Sequence, residues 1–133
     1  MTEILAPTLE DIERLADRAW QAIPKRLRNV ASDVVIRVED FPDEDVCREM
    51  DLESPFDLLG LYQGVANHER SVMDGVPGID MVFLYRRPML DYWCETGEEL
   101  GHLVRHVLIH EIGHHFGFSD EDMEALEAEA AEG

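Results

Sequence analysis

The chain has 133 residues, 45% of them hydrophobic and 31% charged, which supplies apolar material for one core but not the length for two ordinary ones. Residues 1–133 are therefore expected to fold as a single domain. The 30 acidic residues against 11 basic ones leave a formal charge of -19, a field that repels phosphate backbones and anionic membranes and speaks against a nucleic-acid or membrane partner. No stretch approaches the roughly 18 apolar residues of a bilayer span, and Met1 to Pro7 carry no signal-peptide pattern, so a cytoplasmic location is expected. Cys47 and Cys94 lack a CxxC spacing and read as reduced thiols.

Thr8 followed by Asp11 predicts a helix start, and Leu9, Ile12, Leu15, Ala16, Ala19, Trp20 and Ile23 recur at helical spacing as far as Pro24. After a basic turn containing Lys25, Arg26 and Arg28, the β-branched run Val34 to Val38 predicts a strand. Asp43 to Met50 carries only a weak apolar stripe and suits either a short helix or an irregular connection. Leu58 to Gly64 and Ile79 to Tyr85 are two further strand candidates, separated by a loop containing Gly75, Pro77 and Gly78.

A short helix is expected to begin within Pro88 to Trp93. Thr96 with Glu99 has the spacing of a capping box, and Leu100, Leu103, Val104, Val107, Leu108 and Ile112 then keep a helical period to Phe116, with Gly117 as the stop. Ser119 with Asp122 predicts the cap of a last acidic helix in which Met123, Leu126 and Ala130 face inward.

The chemistry is concentrated at the end of the long helix, where His110, Glu111 and His114 spell H-E-x-x-H. Residues four apart on a helix lie only about 40° apart around its axis, so His110 and His114 can offer two imidazoles to one ion. Zinc takes such ligands in tetrahedral array, one ion per chain. Glu111 points too far round to ligate beside both histidines but close enough to reach activated water, which is the position of a general base.

Gly117 permits a left-handed turn that can return Asp120 to the ion as a third ligand. The Ser-Asp-Glu-Asp sequence also reads as helix-start charge, and Glu121, Asp122 and Glu124 remain alternative ligands. In a shuffled chain of this make-up the short motif arises about 3% of the time, and the version extended through Gly117 and Asp120 on the order of a few times in ten thousand.

His102, His106, His110 and His114 form a ladder at four-residue steps, so His106 with His110 is a second possible metal pair, weaker for want of an intervening glutamate. His115 points about 100° away from His114 and suits a supporting or a surface place rather than that of a ligand. Gly113 is either a point of close packing or a tolerated cost of about 1 kcal/mol in the helix. Tyr62, Tyr85, Tyr92 and Arg105 are all eligible to stabilise an oxyanion.

These residues resemble the zincin metallopeptidases, in particular minimal bacterial zincin-like proteins with the pattern H-E-x-x-H-x-x-G-x-x-D. The resemblance extends from about Val34 onward and includes Leu58 to Gly64, the strand ending in Leu84 to Pro88, and Val104 to Gly117. It implies an α+β, zincin-like fold with a long active-site helix on a small mixed sheet, and Asp120 as third zinc ligand. It further implies a peptide substrate paired with an edge strand, for which Leu58 to Gly64 is the candidate. The methionine-containing turn of metzincins has no counterpart, since Met123 falls in the predicted last helix.

The expected function is a zinc-dependent peptidase that hydrolyses peptide bonds with metal-activated water and Glu111 as base. The rival is a catalytically silent zinc-binding interaction domain with an acidic surface. A structural site is closed by four protein ligands, and the absence of an obvious fourth favours the open, catalytic arrangement.

Overall fold

The structure, a computed structural model, describes residues 5–64 and 80–132. Helix α1 (Leu9–Ala22) starts in a reciprocal capping box between Thr8 and Asp11 and buries Ile12, Ala16 and Ala19. The basic segment expected as a turn forms a helix instead, α2 (Lys25–Val30). Leu27 is fully buried there, and the Arg28 side chain donates to the Ile23 carbonyl left over from α1, two anchors that favour a wound backbone over an open turn.

Strand β1 (Val35–Glu39) matches the expected run, and α3 (Glu44–Glu49) resolves the acidic connection as a helix capped by Asp43. A single 3-10 turn at Pro55–Asp57 leads into β2 (Gly60–Gln63). Strand β3 (Met81–Tyr85) is shorter than the run read from the sequence; Ile79 and the loop residues Gly75, Pro77 and Gly78 lie outside the described residues. The order is β1-β3-β2, with β1 parallel and β2 antiparallel to β3. The sheet is thus small and mixed, its buried strand being β3 with Val82 and Leu84 fully enclosed.

Helix α4 (Arg86–Thr96) begins two residues before Pro88, where a proline costs nothing because first-turn amides have no helical partner. Its end corrects the expected capping box. Thr96 is the last residue of α4, Gly97 closes that helix at φ 72°, and the Thr96 hydroxyl accepts from the Glu98 amide. Glu99 precedes α5 (Leu100–His115) with no side-chain cap. The left-handed position is cheap for Gly97 and completes α4, which draws Thr96 away from the helix that follows.

The core lies around α5. Leu103, Val104, Val107, Leu108, Ile109 and Ile112 are buried along it, against α1, α6 (Asp120–Glu132) and strands β2 and β3. At its end the Phe118 amide donates to the Gly113 carbonyl and the Gly117 amide to the His114 carbonyl, with Gly117 at φ 81°. This paired closure reverses the chain as the sequence predicted. Ser119 and Asp122 then cap α6 reciprocally, and Met123, Leu126 and Ala130 point into the core.

Candidate active site

His110 and His114 occupy successive turns of α5, with ring centroids 5.8 Å apart. Burial holds the His110 imidazole below its ordinary pKa, and His106 beside it acts in the same direction. The neutral ring, which is the ligating form, is therefore favoured. Asp120 is the first residue of α6, exposed, and near enough for its charge to act on His110. In chemical type two imidazoles and a carboxylate suit zinc, but the ligating atoms of His110, His114 and Asp120 are not gathered within 4.8 Å of one another.

Glu111, the next residue along the helix, turns toward the sheet. Its Oε1 accepts from the Tyr62 amide at 3.2 Å. Burial raises its carboxyl above the ordinary range, and the Tyr62 hydrogen bond and the adjacent His114 offset part of that rise.

The Tyr62 amide is free to reach Glu111 because of strand register. The Tyr85 amide donates to the Leu59 carbonyl, and Gly60 and Tyr62 stand opposite Leu84 and Val82. The alternation of an antiparallel ladder then turns the Gly60 and Tyr62 backbone groups outward, to the open edge of β2. Gly60 brings that edge close to the helix: a Cβ there would stand 2.6 Å from Val107 Cγ1 and 3.5 Å from Glu111 Cγ. The strand expected to receive substrate is thus the edge strand against Glu111.

A cleft of about 600 Å³ runs along α5 between the strand side, Leu58 to Gly60, and the last helix, Glu127 to Ala131. His110 and Glu111 line it, and His114 and Asp120 lie outside its lining. Of the residues eligible to stabilise an oxyanion, Tyr92 lines the cleft, whereas Tyr62, Tyr85 and Arg105 do not. Burial, reinforced by neighbouring carboxylates, pushes the Tyr62 and Tyr85 phenols far up. Arg105 Nε is enclosed without a hydrogen-bond partner among the described residues. His115 is exposed and stacks on Tyr62, centroids 3.8 Å apart.

Glu127 lines the cleft beside the histidines and was not singled out by the linear pattern. Its carboxylate meets His106 Nδ1 through Oε1 and lies 3.7 Å from His110 Nε2 through Oε2. Among the described residues, His106, His110 and Glu127 are the set of three whose ligating atoms all lie within 4.8 Å of one another. The signal was present in the last helix's period, since position 127 is four residues after inward Met123 and three before inward Ala130.

Gly113 proves to be a point of close packing, since a Cβ there would stand 2.7 Å from Met123 Sδ. Cys47 and Cys94 are both free. No helix among the described residues is long and apolar enough to cross a membrane.

The model of the zincin-like metallopeptidase family matches residues 31–130. No curated protein matches the chain. Among solved structures, a conserved hypothetical protein from Thermo thermophilus is similar at a TM-score of 0.55 and 22% identity, covering 82% of this chain and 94% of that one. This likeness shows a shared α+β fold. With three-quarters of the chain inside the family model, including α5 and all but the last two residues of α6, the chain belongs to the zincin-like metallopeptidases.

Proposed function

We propose that the chain is a zinc-dependent peptidase in which His110, His114 and Asp120 hold one zinc ion and Glu111 is the general base. It acts as a single domain, residues 1–133, on peptide or protein substrates in the cytoplasm. The observation that carries this reading is the hydrogen bond from Tyr62 on the open edge of β2 to Glu111, which joins the substrate-pairing edge to the acid-base group. Zinc supplies Lewis acidity there, activating water near neutral pH and polarising the scissile carbonyl.

The outward backbone groups of Gly60, with the Tyr62 carbonyl, pair with an extended substrate as an added strand. That pairing lays the scissile bond along α5 within reach of Glu111. A carboxyl raised by burial gives up its proton less readily than a solvated one, so Glu111 can take a proton from attacking water and return it to the leaving amine. The Tyr62 amide keeps Oε1 in place while the other oxygen exchanges the proton.

The test is the Glu111→Gln variant, which keeps the acceptor for Tyr62 and removes the base. Cleavage of a peptide library should fall by about 10²- to 10⁴-fold, with zinc content, measured by elemental mass spectrometry, unchanged at about one per chain. Cleavage at the parental rate overturns the mechanism.

A further inference from the structure

We infer that His106, His110 and Glu127 form a second divalent-cation seat, one helical turn along α5 from the H-E-x-x-H pair and competing with it for His110. It rests on the proposed peptidase site only in that His110 is common to both.

The geometry is that of a built cluster. His106 and His110 stand four residues apart with ring centroids at 4.1 Å, closer than the 5.8 Å between His110 and His114. Glu127 reaches across from α6 with one oxygen toward each ring. Its side chain is 19% exposed, unlike most of the acidic residues on that helix.

Two imidazoles and a carboxylate are the ligand set of zinc and neighbouring transition ions rather than of magnesium or calcium. Ligands at about 2.1 Å from one ion stand about 3.4 Å apart in tetrahedral array, so atoms already within 4.8 Å need only small side-chain rotations. The seat lies on the cleft, and His106 is half exposed, with a side-chain accessibility of 49%, so an ion can enter from solvent. Because Nε2 of His110 is the atom facing Glu127, an ion held here takes that ligand from the H-E-x-x-H position, and the chain holds one ion at either seat but not at both.

The experiment uses chelator-stripped full-length chain titrated calorimetrically with Zn²⁺, and with Co²⁺ for its absorption spectrum. The His114→Ala variant is expected still to bind about one ion per chain, and adding Glu127→Gln or His106→Ala to it to weaken that binding by about tenfold or more. The cobalt spectrum of His114→Ala should change when Glu127→Gln is added. A folded His114→Ala chain, judged by circular dichroism, that binds no zinc while the parent does removes the second seat and leaves the peptidase ligand set standing. Binding to His114→Ala that is indifferent to both Glu127→Gln and His106→Ala also overturns the proposal. Binding that survives His114→Ala but is lost in Glu127→Gln alone establishes the seat and instead removes His114 from the zinc ligands.

Discussion

The two walls of the cleft along α5 are held by different means. On the strand side the spacing is set by backbone: Gly60 leaves no room for a side chain against Val107, and the Phe83 carbonyl would lie 3.1 Å from a Cβ there. On the helix side the spacing is set by side chains, with Met123 lying over Gly113 and Glu127 meeting two histidines. A wall made of backbone holds Glu111 and the open edge of β2 at fixed separation. One made of flexible side chains can shift to admit an ion or a ligand.

The largest effect should come from removing what both walls share. Leu108→Ala empties a fully buried site in the middle of α5 and should cost about 2–5 kcal/mol in denaturant unfolding. Gly60→Ala tests the strand wall alone: its methyl must displace either β-branched Val107 or the β3 backbone, for about 1–3 kcal/mol. The same variant should lower peptide cleavage by moving β2 away from Glu111. Unaltered stability and cleavage would show that the strand wall yields as easily as the helix wall.

Ser119→Ala removes the side-chain acceptor that caps α6. A loss of about 1 kcal/mol is expected, with hydrogen exchange quickened in α6 and not in β2. Gly113→Ala sharpens the contrast with Gly60. Its methyl meets Sδ and Cγ of buried Met123 at 2.7 and 2.9 Å, an unbranched side chain that yields more easily than backbone, and the helix gains about 1 kcal/mol in propensity. The net change should stay within about 1 kcal/mol, far from the cost at Gly60.

The smallest effect is a pH dependence of the strand wall. The folded-state pKa of Glu111 lies above the ordinary glutamate value of 4.5. Between 4.5 and that raised value the folded chain keeps a proton that the unfolded chain has released, so stability falls as pH rises through this window and then levels. Glu111→Gln lacks this loss. In metal-stripped protein its stability relative to the parent should therefore increase as pH is raised from about 4 to about 8. A stability difference that is flat with pH would mean that Glu111 is solvated.

Most helices were legible in the chain because their signals are local. Thr8 with Asp11 and Ser119 with Asp122 form the caps that their spacing predicted, and Gly117 adopts the left-handed conformation that ends α5. The error at Thr96 came from the same kind of signal: two helix ends adjoin there, and Gly97 closing α4 prevailed over the cap expected for α5. The run Lys25 to Arg28 was misread because its helix depends on burying Leu27, a tertiary contact that residue preference does not reveal.

The sequence by itself determined the long helix, its stop, the inward face of α6 and the H-E-x-x-H pair, since each depends on residues within about a turn of one another. Only the tertiary structure decided what the site faces. Tyr62 lies 49 residues from Glu111, and His106 lies 21 from Glu127, and spacings of that kind carry no periodic or capping signature. These contacts exist because β2 is an edge strand in a particular register and because α6 folds back over α5, so the open edge beside Glu111 and the carboxylate beside the histidines were settled by packing.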